Sequence, residues 1–199
     1  MYTLSLIAAG LLFAFTKATK CPQNNILAHY YPAYSMQNPQ QPLYQYTDYS
    51  YYFVAVTTES GFAIPDDQFK LNAFVKAAKK AGNKAGLTFG GWSGSRYFST
   101  LASSPQKRNE LVEQIKTLVV QYRIDLVDID WEYPNSLGAG CNTKSSKDAS
   151  NFLLLLNELR TAIGSKVLLT AAVASNGILG SNGEPLKDVS VLAKVLDYL

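Results

Sequence analysis

Histidine is nearly absent from this chain and cysteine is scarce. His29 is the single histidine of 199 residues, and Cys21 and Cys141 are the two cysteines. No cluster of His, Cys, Asp and Glu has metal-ligand spacing, so no metal is expected. His29 lies in an apolar stretch and reads as a packed strand residue. No Gly-x-Gly-x-x-Gly follows the first strand, which argues against a dinucleotide and leaves no cofactor in the reading. Positive charge is slight, a net +3 from scattered Lys and Arg, so no nucleic-acid partner is expected. The chain has no Asn-x-Ser/Thr triplet. Past residue 20 no apolar run approaches the roughly 20 residues of a membrane-spanning helix.

The N-terminus does carry a shorter apolar run, Leu4 to Phe15. It is too short to cross a bilayer, and Thr16-Lys17-Ala18 offers small residues for cleavage after Ala18. Residues 1–20 therefore read as a secretory signal peptide, with 21–199 as one extracellular domain. Two cysteines fit an oxidising compartment. The composition, 47% hydrophobic and 17% charged, suffices for one core. Aromatics are plentiful at 12%, with thirteen tyrosines, many of them between 30 and 52. Sugars stack on such faces, although Tyr-rich strands alone explain any one of them as well.

Strand and helix signals alternate. Strands are predicted at Ile26–Tyr31, Tyr51–Thr57, Lys84–Phe89, the stretch from Ile124, and Lys166–Ala174. Helices are predicted over Asp66–Ala81, with Phe69, Ala73, Val75, Ala77 and Ala78 inward, over Ser104–Tyr122 and over 147–163. Ser104-Pro105 is a cap followed by an N1 proline. A further helix begins at Val189. Such alternation predicts right-handed βαβ units and a parallel sheet. The expected fold is a (β/α)8 TIM barrel, incomplete, with about five strands and four to five helices. An open doubly wound sheet is the rival, and Gly90-Gly91 does not fit its dinucleotide loop. In a barrel Cys21 and Cys141 fall at opposite faces, so their mutual pairing is not expected.

The stretch Ile124-Asp-Leu-Val-Asp-Ile-Asp-Trp-Glu-Tyr-Pro134 carries the chemistry. Alternation puts Val127, Ile129 and Trp131 on one face with Asp125, and Leu126, Asp128, Asp130 and Glu132 on the other. Carboxyls two apart lie roughly 6.5–7 Å from one another. At that spacing some must hold or share a proton, so raised proton affinity is expected. A calcium loop also repeats acids at every second residue, but Val127, Ile129 and Trp131 do not suit a hydrated loop.

The spacing Asp125-x-x-Asp128-x-Asp130-x-Glu132, followed by Tyr133-Pro134, resembles the signature of family 18 glycoside hydrolases, the chitinase family. Thr88-Phe-Gly-Gly-Trp92 resembles that family's Ser-x-Gly-Gly-Trp, with Thr88 in place of Ser. Tyr30-Tyr31-Pro32-Ala33-Tyr34 resembles its first-strand segment. The resemblance implies retaining, substrate-assisted hydrolysis of β-1,4 bonds between N-acetylglucosamine units. Glu132 would be the acid and then the base, Asp130 would hold the acetamido group, and Asp128 would share a proton with Asp130. Asp125 would be structural. Tyr30, Tyr34, Gly90, Gly91, Trp92 and Tyr133 would contact the sugar. Chitin or its oligosaccharides would be the partner, with a monomer expected for a complete barrel. A non-catalytic chitin-binding lectin and an endo-β-N-acetylglucosaminidase are the alternatives. The family's sixth and eighth strands would lie beyond Leu199, so residues 21–199 read as the N-terminal part of the barrel. Alone they are expected to be poorly soluble and inactive or nearly so.

Overall fold

The computed structural model describes residues 26–32, 47–63 and 68–199. Residues 1–20, the expected signal peptide, and Cys21 and Tyr34 lie outside them. Strands β1 (Ala28–Pro32), β2 (Tyr49–Thr58) and β3 (Gly61–Ala63) come first, then helix α1 (Gln68–Lys80) and β4 (Lys84–Gly90). Next are α2 (Phe98–Ala102), α3 (Pro105–Tyr122), β5 (Leu126–Asp130), α4 (Asp148–Ile163), β6 (Leu168–Ala171) and α5 (Ser190–Ala193). The sheet runs β1-β2-β4-β5-β6 with every neighbour parallel, and β3 pairs antiparallel with β2. Tyr198 adds one parallel bridge to Thr170. This is the strand order of a (β/α) barrel taken through its first five parallel strands.

Parity along the strands separates two environments. Tyr31, Tyr52, Leu87, Phe89, Val127, Ile129 and Leu169 are buried in one apolar core with the helices. From α3 come Leu111, Ile115, Leu118 and Val119, and from α4 come Phe152, Leu155, Leu156 and Leu159. Each such side chain stabilises the fold by about 1.5–3 kcal/mol when fully buried. The inner, concave face carries Tyr30, Tyr51, Thr88, Asp128, Asp130 and Thr170.

Local chemistry sets the helix ends. Ser104 Oγ accepts from Lys107 N at 3.3 Å and Pro105 opens α3, as expected. Arg123 closes α3 in the left-handed conformation, φ 53°. On α1 the buried residues are Leu71, Phe74, Val75 and Ala78. That is the i, i+3, i+4, i+7 stripe. Phe69 lies off it and is 85% exposed, contrary to the expectation that it packs inward. The helix expected from Val189 is a single turn. β3 and α2 carry no strand or helix signal in the sequence. β3 is held by Gln114 Oε1, which accepts from Phe62 N at 3.0 Å.

Asp125 has a structural role, as expected. Its Oδ2 accepts from Ala85 N at 3.0 Å and lies 3.4 Å from Lys79 Nζ, tying the start of β4 to that of β5. Apolar residues are exposed near both ends of the sheet, Ile26 and Leu27 beside β1, Tyr198 and Leu199 beside β6. Among the described residues no helix is long and apolar enough to cross a membrane.

Candidate active site

The parallel register brings the polar inner residues together. Asp128 stands opposite Thr88 on β4 and opposite Thr170 on β6, and Asp130 stands opposite Gly90. Asp128 is 1% exposed, so every one of its lone pairs depends on protein donors. Oδ1 accepts from Thr170 Oγ1 at 2.6 Å. Oδ2 accepts from Thr88 Oγ1 and from Tyr30 Oη, both at 3.1 Å. Thr88 therefore serves the acid directly. Tyr30 spans from the first strand, and its ring stacks on Tyr51 with centroids 5.1 Å apart.

Asp130 is also buried, at 7% exposure, but its surroundings differ. Its Oδ1 has no hydrogen-bond partner among the described residues. Its main-chain oxygen is fully used, accepting from Gly91 N at 2.7 Å and Ser95 Oγ at 2.9 Å. Ser95 Oγ in turn accepts from Glu132 N at 2.9 Å. Asn142 Nδ2 donates to Glu132 O at 2.8 Å. The backbone on each side of Trp131 is thus fixed, and the half-buried Glu132 side chain follows the last paired strand residue. The Glu132–Tyr133 peptide is cis.

Trp131 points to the helix side, as its parity requires. It stacks on Phe98 at 5.2 Å and meets Phe152 edge-on at 5.6 Å. The loop that follows is anchored by buried Asp148, which accepts from Ser99 Oγ at 2.6 Å, Asn135 N at 3.0 Å and Ser145 N at 2.8 Å.

Gly90 and Gly91 both have positive φ, 111° and 83°. A Cβ on Gly90 would lie 2.2 Å from Asp130 O. The close approach at Gly90 is therefore to the neighbouring strand end. Trp92, on the same loop, is 57% exposed. Tyr133 is half-buried beside Glu132. His29 faces away from this group, with Nδ1 3.1 Å from Thr47 Oγ1. Among the described residues no group of three or more His, Cys, Asp and Glu is placed to hold a metal ion. Cys141 is a free, exposed thiol.

Burial governs proton affinity here. It pushes Asp130 up to about 8, and the charges of Glu132 and Asp128 push the same way. It also raises Asp128, opposed by the hydroxyls of Thr170, Tyr30 and Thr88. Burial, then the Asp128 carboxylate, raises the Tyr30 phenol far above its usual range. Burial is also the first cause of the rise at Tyr133.

One consequence is measurable. Asp130 binds its proton more tightly folded than unfolded, so folding takes up a proton between about pH 4 and 8. The stability it contributes is full below about pH 4 and is lost as pH rises through about 8. Asp130→Asn is therefore expected to raise stability by about 2 kcal/mol at pH 8, discounted for solvent at the cleft mouth, with no gain at pH 4. Thermal melts of both proteins across that range check it. A pH-independent difference would contradict the assignment.

Sequence reasoning placed Asp128, Asp130, Glu132, Tyr30 and the Gly90-Gly91 turn in this region, and the fold brings them together. It missed Thr170, Ser95, Asn142 and Asp148. Thr170 had one legible signal, being an inward-parity polar residue on the strand after the acidic one.

The family described as "Glycosyl hydrolases family 18" matches residues 26–199. A "chitinase-like effector" of Moniliophthora roreri is 34% identical over 203 aligned positions, covering 98% of this chain and 50% of that protein. A chitinase of Rhizomucor miehei superposes with a TM-score of 0.80 at 32% identity, over 87% of this chain and 56% of that one. A class V chitinase of Nicotiana tobaccum, crystallised as a mutant in complex with NAG4, gives 0.71 at 25% identity over 87% and 51%. The chain spans about half the length of these relatives.

Proposed function

Since this chain belongs to family 18 of the glycosyl hydrolases, we propose that Asp128, Asp130 and Glu132 hydrolyse β-1,4 bonds between N-acetylglucosamine units with retention. One observation carries the reading. Asp130 Oδ1 is a buried acceptor with no donor, beside an Asp128 whose two oxygens are both occupied. A buried acceptor left bare is costly, by about 1–3 kcal/mol, unless a ligand supplies the missing donor. The acetamido N–H of the sugar is such a donor.

The chemistry then runs along one strand end. Glu132 gives its proton to the glycosidic oxygen as the C1–O bond breaks. The acetamido oxygen of the same sugar attacks C1 and forms an oxazolinium ion. Positive charge grows on the acetamido nitrogen, so its hydrogen bond to Asp130 strengthens during the reaction. An interaction stronger in the transition state than in the ground state lowers the barrier. Glu132, now a carboxylate, takes a proton from water as that water attacks C1 from the face the leaving group left and the bond from C1 to the acetamido oxygen breaks. Tyr30, Gly90, Gly91, Trp92 and Tyr133, with Tyr34 from outside the described residues, form the sugar-contacting surface in this proposal. No cofactor enters it.

The substrate class is chitin and its oligosaccharides. The test is prolonged incubation with chitotetraose, with NMR of the first-formed reducing ends. The β anomer is the expected product, and an α anomer would sink the mechanism. A second reading is a non-catalytic chitin binder, favoured by the name "chitinase-like effector" carried by a relative that aligns with 98% of the chain. Binding of chitotetraose without any turnover would select it. We also propose that the protein is secreted, on the strength of the Leu4–Phe15 run. N-terminal sequencing of the exported protein should then read from Thr19.

A further inference from the structure

Asp128 receives three hydroxyl donors from three other strands. Two of them, Tyr30 and Thr88, lie in the segments on which the family reading rests. The third, Thr170 on β6, does not, yet its bond to Oδ1 is the shortest of the three, at 2.6 Å. A threonine hydroxyl has one proton and two lone pairs. Having given its proton to Asp128, Thr170 Oγ1 can only accept. The group beside it is Tyr51 Oη, at 3.4 Å, on a ring buried in the inner face and stacked on Tyr30. Tyr51 backs Thr170, Thr170 backs Asp128, and the proton order in that chain has one direction.

The consequence concerns the proton of the acidic pair. Around Asp128 every close partner is a donor, and three donated hydroxyl bonds favour its carboxylate over its protonated form. Asp130 lacks such donors: its Oδ1 is bare, and its side-chain hydrogen bond is to Glu132, another acid, which favours the protonated form. We propose that Thr170, with Tyr51 behind it, is a positioning residue that holds Asp128 as the carboxylate of the pair and so keeps the shared proton on Asp130. This rests on the family reading for the roles of the two acids. The titratable groups facing Asp128 are Tyr30 from β1, Tyr51 from β2 and Asp130 from β5, with Glu132 acting on Asp130. Thr88 and Thr170 face it from β4 and β6 without titrating. Behind Tyr51 stand Asp197 and Tyr198, and Tyr49, which is bonded to Tyr198.

The test is carboxyl titration by NMR of the 199-residue chain with 13C-labelled aspartate, in wild type, Thr170→Val and Thr170→Ser. Valine keeps the shape and removes the donor. In Thr170→Val the Asp128 titration should move up by at least about one pH unit while that of Asp130 moves down, because a coupled pair exchanges one proton. Thr170→Ser should restore both. Unchanged titrations, or two that move in the same direction, would overturn the proposal. Should Thr170→Val fail to fold, Tyr51→Phe removes the hydroxyl behind Thr170. It should give a smaller shift of the same sign, and no shift would again refute the idea. None of these readouts needs substrate. Loss of the hydrolytic reading, seen as wild type without turnover, is thus separable from loss of this one.

Discussion

Glu132→Gln should lower the turnover of chitotetraose by about 10²–10⁴-fold and leave its Kd within a few-fold. Glutamine matches glutamate in size, and the backbone at this position is held by Ser95 and Asn142, whose bonds involve main-chain N and O only. The substitution therefore removes the proton and the Glu132 charge beside Asp130 while leaving the backbone in place. Calorimetry gives the Kd and product chromatography gives the rate. Equal rates in wild type and variant would remove Glu132 from the mechanism. A fall in rate matched by an equal loss of binding would mean that the side chain holds the sugar rather than protonating it.

The second large effect is on stability. Gly90→Ala places a Cβ 2.2 Å from Asp130 O and 2.7 Å from the Phe98 ring, at φ 111°. The first contact is with backbone that Gly91 N and Ser95 Oγ already hold, so it cannot give way cheaply. The second is with a ring packed against Trp131. A loss of at least about 3 kcal/mol is expected in urea denaturation. Gly82→Ala is the control, because Gly82 also has positive φ, 85°, but a Cβ there meets nothing within 4 Å. That change should cost only about 1–2 kcal/mol, the penalty of the left-handed conformation itself. If the two variants lose equal stability, backbone conformation and not close approach explains Gly90.

Much of this was legible in the chain because it is written in local terms. α3 announces its start with Ser104-Pro105, and the bond from Lys107 N confirms the cap. β5 shows its acids through strict alternation, and the register then sets them on the concave side. The elements that escaped lack such periodic cues. β3 is three residues long, too short for a pattern, and exists because Gln114 from a distant helix holds it. α2 is five residues long. Phe69 misled because adjacent apolar residues leave the phase of a helix open, whereas Leu71, Phe74, Val75 and Ala78 fix it once all four are read together. The hydroxyl partners of Asp128 depend on strand register, a property of neighbours that one strand's sequence does not contain. Thr170 lies 42 positions from Asp128 in sequence and one hydrogen bond away in space.

Each barrel strand is divided residue by residue between two duties, and the division bears on how such a protein changes over generations. Leu87, Val127, Ile129 and Leu169 answer to the helices behind them, whereas Thr88, Asp128 and Thr170 answer to one another on the concave face beside Asp130. A lineage can therefore lose Asp130 or Glu132 without disturbing a single apolar contact in the outer layer. Descendants that have fallen catalytically silent should keep the same architecture and stay free to acquire another use for the same concave surface.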